Sequence, residues 1–181
     1  MVALRFYEPK YIISNICSKH KTDLKLCSDD MNSKWTYRLI GDVCVVERGG
    51  SPRQIEQFIT DEPNGINWIK IGDIDGSMYI THTAQKIKPE GMKKSRYVEP
   101  GELLLSNSMS FGRTYILKID GCIHDGWLVL RDRADLFDKR FLYYYLNSSS
   151  TYNKFKSMAV DGVVNTLNSQ MVRNVKCQYR R

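Results

Sequence analysis

Cys122, His124 and Asp125 stand within four residues of one another, and a thiol, an imidazole and a carboxylate are the parts of a nucleophilic site. The thiolate would attack and His124 would take up the proton. The spacing works against this chemistry. Successive side chains on a strand take opposite faces, so three close neighbours do not easily point at one another. Asp73 and Asp75 share a strand parity and would suit a metal ion, but an Asp in a turn more often bonds its own backbone, and that reading is preferred. Cys17-x-x-His20 followed by Cys27 lacks a fourth ligand at a usable spacing, so no metal centre is expected. Lys86, Lys88, Lys93, Lys94 and Arg96 place five positive charges in eleven residues against Glu90 alone. Such a run suits phosphate groups, whose contacts give affinity without sequence information.

The elements that must position these groups read as short strands between turns, over Trp68–Ile71, Met78–Thr81, Gly101–Ser106, Thr114–Ile119 and Trp127–Leu130. Asp75-Gly76, Asp120-Gly121 and Asp125-Gly126 separate several of them, and Asp-Gly favours the positive φ that hairpin turns need. Gly49 to Pro52 is a loop, since Gly-Gly and Ser-Pro both interrupt regular structure. After Asp138 the period changes. Phe141, Leu142, Tyr144, Tyr145 and Leu146 crowd one helix face, and Asn147 with the serine triplet that follows ends it. Tyr152, Phe155 and Met158 recur at spacing three with Lys154 and Lys156 between them. An aromatic stripe among lysines suits base stacking, but at helical spacing it reads first as a core face. Strands first and helices after, without β-α-β alternation, argue an α+β fold.

The chain has 181 residues, room for one domain with a core and an appendage. Its 42% hydrophobic and 26% charged content is that of a globular protein. Residues 1–138 balance 19 basic against 19 acidic side chains. Residues 139–181 carry eight basic ones against Asp161 alone, which supplies the whole net charge of +7. A basic segment on a neutral body suits a polyanion such as the DNA backbone. Five cysteines, none in a Cys-x-x-Cys pair, read as reduced thiols of a cytoplasmic protein. Neither a secretion signal nor a membrane-spanning run is present in the sequence. Residues 1–33 read as an extended or partly ordered N-terminal arm, with residues 34–181 as the folded domain.

Several motifs occur in a distinctive order. Trp35 to Val43 carries a Trp followed by Leu-x-Asp-Val, and Gly49-Gly50-Ser51-Pro52 forms a Gly-Gly-Ser-Pro loop. Trp68 to Ile74 reads Trp-Ile-Lys-Ile-Gly-Asp-Ile, Thr83 to Gly91 carries Thr-x-x-x-Ile-x-x-x-Gly, and Pro100 to Ser106 reads Pro-Gly-Glu-Leu-Leu-Leu-Ser. Gly112 to Ile116 and Gly121-Cys122-Ile123 continue the series. Together they resemble the target recognition domain of the DNA specificity subunit of type I restriction-modification enzymes, over roughly residues 35–175.

The resemblance implies a twisted mixed β-sheet of short strands, with helices near the start, about Ile40 to Val43, and in the C-terminal third. It makes Cys122 to Asp125 a strand end and turn. It implies no catalysis by this chain. Double-stranded DNA would be bound, and methyltransferase and restriction subunits would be partners, holding S-adenosylmethionine and ATP. Family members carry two recognition domains separated by long helices; one motif set occurs here, so a half-subunit or fragment is implied, with a second specificity half as a possible partner. Base readout needs paired donors or acceptors. Arg48, Arg53 and Gln54 flank the Gly-Gly-Ser-Pro loop, and Asn107 and Arg113 flank the small-residue loop after Ser106; these five are the base-reading candidates. Lys86, Lys88, Lys93, Lys94, Arg96, Lys154 and Lys156 are the phosphate candidates. Three other readings stay open: a recognition domain from a fused restriction-methylation enzyme, a small hydrolase on Cys122 and His124, and a protein-interaction decoy.

Overall fold

The computed structural model describes residues 36–108, 112–132, 134–160 and 166–179. The expected arm over 1–33, with Cys17, His20 and Cys27, lies outside them. Along the chain run β1 (Thr36–Leu39), α1 (Ile40–Val43), β2 (Val45–Arg48), β3 (Ile59–Thr60), β4 (Ile66–Ile69), β5 (Tyr79–Ile80), β6 (Lys86–Ile87), α2 (Pro89–Met92), β7 (Arg96–Val98) and β8 (Leu103–Ser106). Then follow β9 (Thr114–Leu117), β10 (Gly121–Ile123), β11 (Trp127–Arg131), α3 (Lys139–Leu146), α4 (Ser149–Val160), α5 (Ser169–Arg173) and β12 (Lys176–Tyr179). Single 3-10 turns lie at Ile55–Gln57 and Ile71–Asp73.

The strands form two five-stranded sheets, ordered β2-β11-β8-β9-β5 and β3-β6-β4-β10-β7, and a two-stranded sheet of β1 with β12. Both large sheets are mixed, since β4 runs parallel to β10 and β5 parallel to β9. The fold is α+β, as the sequence implied. Among the described residues no helix is long and apolar enough to cross a membrane.

Side-chain alternation divides the core. In β8, Leu103 and Leu105 face the helices with Leu142, Leu146, Phe155 and Val172, while Leu104 turns to the other sheet. In β11, Leu128 and Leu130 face the helices, while Trp127 and Val129 cluster with Leu117 of their own sheet and with Ile69, Val98 and Ile123 of the other. Both strands are covered on both faces, which is why they read as continuous apolar runs rather than alternating ones. A third cluster joins Trp68, Ile87 and Cys122 on the far face of the β4–β10 sheet, under Phe58 and Ile66. Trp68, Ile69, Leu104 and Leu128 are all buried.

Three local expectations need correction. The strand read over Trp68–Ile71 ends at Ile69, because the Asp73 carboxylate accepts from the Lys70 amide at 2.7 Å and turns the chain into a 3-10 helix. The serine triplet does not simply end a helix. Asp138 caps α3 at its start by accepting from the Phe141 amide, and the Ser148 hydroxyl accepts from the Thr151 amide at the start of α4. Of the three Asp-Gly pairs only Gly76 takes a positive φ, +88°. A Cβ on Gly121 would lie 2.5 Å from the Asn67 carbonyl oxygen and one on Gly126 would lie 2.2 Å from the His124 ring, so close approach requires glycine there.

The stripe of Tyr152, Phe155 and Met158 is a core face. Phe155 is fully buried, Tyr152 and Met158 are half-buried, and Lys154 and Lys156 are exposed beside them.

Candidate nucleic-acid interface

Three segments distant in sequence meet at the turn that joins β10 to β11. The Gly49 amide donates to the Trp127 carbonyl at 2.9 Å, and the Gly50 amide to the Ile123 carbonyl at 3.1 Å. A Cβ on Gly49 would fall 2.1 Å from the His124 carbonyl oxygen, so glycine is required where this loop crosses the turn. From the third segment, the Asn107 amide nitrogen donates to the Gly126 carbonyl at 2.9 Å.

Asp125 is the hub of this meeting. Its backbone carbonyl accepts from Asn107 Nδ2 at 2.8 Å and from Arg48 Nε at 3.0 Å. Its carboxylate accepts from the Ser51 hydroxyl at 2.8 Å, and Arg48 lies 3.9 Å away. The Ser51 bond, aided by Arg48, holds the Asp125 carboxyl below the usual range. The two candidate base-reading loops thus share one anchor on rigid strands, as suits recognition side chains.

The candidates take different places around it. Arg48 ends β2 with its guanidinium exposed. Arg53 and Gln54 are exposed on the loop beyond Pro52, with Gln54 in the left-handed region at φ +57° and its side-chain oxygen accepting from Gln57 at 2.8 Å. Asn107 departs from the expectation. It is 1% exposed and spends its amide tying the second loop to the turn, so it is a strut and not a groove-facing reader. Arg113 is exposed and stacks over the Tyr152 ring at 4.6 Å, which carries it toward α4 with Lys154 and Lys156.

The basic run is not a single loop. Lys86 is half-buried on β6; Lys88 precedes α2, and Lys93 and Lys94 follow it. Lys88 and Lys93 are exposed, and the Lys94 ammonium sits 4.9 Å above the Phe58 ring. Arg96 opens β7 and pairs with Glu47 at 3.3 Å. Glu47 is also bound by Arg131, which holds Glu102 at 2.5 Å and donates to the Tyr97 carbonyl at 2.7 Å. Arg96 therefore fastens β7 to β2, and Lys88, Lys93 and Lys94 keep the freer charges.

Cys122, His124 and Asp125 are brought near one another without forming a nucleophilic site. Cys122 is fully buried with Trp68, and burial pushes its thiol up to about 11, which suppresses the thiolate. Both ring nitrogens of His124 face backbone amides, Nε2 that of Ile71 at 3.1 Å and Nδ1 that of Gly126 at 2.7 Å. A neutral ring accepts from one of these two amides, and a protonated ring from neither. Burial lowers the His124 pKa, which favours the neutral ring packed against the turn. Asp73 and Asp75 bond backbone amides, of Lys70 and Ala84 for Asp73 and of Ser77 for Asp75. Among the described residues no group of three or more His, Cys, Asp or Glu is placed to hold a metal ion.

Sequence reasoning missed Ser51 and Asp125 as members of the site. The Gly-Gly-Ser-Pro and Asp-Gly signals marked two turns, but nothing local to either says that they touch.

Comparison with known proteins agrees with this architecture. The model of the type I restriction modification DNA specificity domain matches residues 32–177. No curated protein matches the sequence. Among solved structures, the HsdS subunit from Thermoanaerobacter tengcongensis is 23% identical with a TM-score of 0.61, over 83% of this chain and 34% of that one. A chain from a study of complex assembly and conformational transition of the type I R-M system is 21% identical with a TM-score of 0.64, over 94% of this chain and 39% of that one. The S subunit of the type I restriction-modification system from M. genitalium is 14% identical with a TM-score of 0.56, over 83% and 36%. This chain therefore spans little more than a third of the length of the structures it matches. With four-fifths of its residues inside the family model and the same fold in these structures, the chain belongs to the type I restriction modification DNA specificity domain family.

Proposed function

We propose that this chain is a sequence-specific DNA-binding component of a type I restriction-modification specificity subunit. It selects a target site in double-stranded DNA and directs methyltransferase and restriction subunits to it. The chain contributes recognition only. Methyl transfer and cleavage, with S-adenosylmethionine and ATP, belong to those partners, and the whole works in the cytoplasm. The observation that carries this reading is the joining of the Arg48–Gln54 loop and Asn107 at Asp125, with Arg48, Arg53 and Gln54 exposed around it. Donor-rich side chains on a braced loop cluster fit base edges, and Lys88, Lys93 and Lys94 supply phosphate contacts.

The test is binding of the full chain to fluorescent duplex DNA across a salt series, with and without the methyltransferase subunit. Affinity is expected to fall linearly with salt on logarithmic axes. Lys93→Ala and Lys94→Ala are each expected to lower that slope by about one while weakening all sequences alike. Failure to bind duplex DNA in either condition, or binding indifferent to salt, refutes the proposal.

A further inference from the structure

Resting on that reading, we infer that Asp125 itself reads the DNA: its carboxylate accepts the amino group of a cytosine while Arg48 beside it donates to a guanine. Asp125 is held on three sides. Two donors, Asn107 Nδ2 and Arg48 Nε, fix its backbone carbonyl, and Ser51 fixes one carboxylate oxygen. Yet the side chain remains 60% exposed, and that of Arg48 remains 58% exposed. The second carboxylate oxygen stands 3.9 Å from the Arg48 guanidinium, beyond hydrogen-bond length, and keeps lone pairs for a further donor. Arg48 spends Nε on the Asp125 carbonyl, which leaves its two terminal nitrogens side by side for a bidentate contact.

Charge supports a base contact. A carboxylate on a surface that meets phosphates is repelled by them unless it accepts a hydrogen bond that returns the loss. Of the base edges in the major groove, the cytosine amino group is the partner that an acceptor-only carboxylate suits, and the guanine edge suits the arginine fork. The pair offers opposite chemistry from one braced point, which distinguishes a G·C step from its reverse.

Asp125→Asn separates reading from bracing, because both bonds to the Asp125 carbonyl are made by the main chain and survive the substitution. The full chain with its methyltransferase subunit is used to select from duplexes with a randomised central stretch, and affinities are then measured on the enriched and scrambled sequences. Asp125→Asn is expected to relax the preference at one position of the enriched motif by about 5- to 150-fold, or move it to adenine, with scrambled DNA bound at least as well as before. Ser51→Ala, which removes only the tether, is expected to weaken preference at that same position. An unchanged motif with Asp125→Asn, or equal losses on enriched and scrambled duplexes, overturns the inference while leaving the DNA-binding role standing. A wild-type selection that enriches no motif overturns sequence-specific recognition and this inference with it.

Discussion

Replacing Trp68 by alanine probes the outer layer of the fold. The indole is 3% exposed and packs with Ile87 and Cys122, under Ile55, Phe58, Ile59 and Ile66. A buried tryptophan removes about 150–250 Å² from water. At roughly 25 cal/mol per Å², an upper bound for an extended unfolded chain, that is about 4–6 kcal/mol. Alanine keeps the Cβ, while the cavity left behind adds its own cost, so the expected loss is about 3–5 kcal/mol. Against a domain stability of about 5–15 kcal/mol the variant still folds, because neither larger cluster contains Trp68. At about 2–4 °C per kcal/mol for a chain of this size, Tm should fall by roughly 6–20 °C. The assay is urea unfolding followed by far-UV circular dichroism, since removing a tryptophan alters the fluorescence itself. The midpoint should fall with the slope unchanged. A loss under about 1 kcal/mol would show that Phe58 and Ile87 close over the gap, and the reasoning would be wrong.

Burial pushes the thiols of Cys44 up to about 12 and of Cys122 and Cys177 up to about 11. Each folded-state pKa exceeds its unfolded value, so the stability they contribute is present below about pH 9 and lost as pH rises toward 11–12. The urea midpoint should therefore fall across that window, and Cys122→Ala should flatten the fall; a midpoint constant from pH 8 to 11 contradicts the argument. Gly49→Ala should cost about 1–3 kcal/mol or more, because its Cβ would collide with the His124 carbonyl. Gly72→Ala, with nothing within 4 Å of the new Cβ and no positive φ, should be neutral or gain up to about 1 kcal/mol. Thermal melts of the two decide the matter, and equal losses would refute it.

Legibility in the sequence followed the locality of the cause. The strands at Leu103–Ser106 and Trp127–Arg131 and the helix at Lys139–Leu146 were readable because burial imprints a run or a period of its own. β7 was not, since Arg96 and Tyr97 are exposed and its partner β10 lies well downstream. β12 escaped for a similar reason. Its four residues are too few for their alternation to mark a strand, and its pairing with β1 spans most of the chain. Asn107 looked like a reader by residue type, and only the arrival of the Asp125 carbonyl makes it a strut. Asp125 looked like a hairpin residue, yet its role comes from Arg48 and Ser51, more than seventy positions earlier in the chain.

The pairing of β1 with β12 also governs the order in which the molecule can be made. Arg38 and Cys177, which face each other across it, are 139 positions apart. During synthesis β1 leaves the ribosome first and its partner emerges only after every other described strand. Closing so long a loop is entropically costly and slow, so this small sheet is a late event of folding. Until residues 176–179 appear, the hydrogen-bonding edge of β1 lacks its partner strand, and an open edge invites association with other nascent chains. A stretch of four residues thus sets how long the newborn domain remains exposed to aggregation.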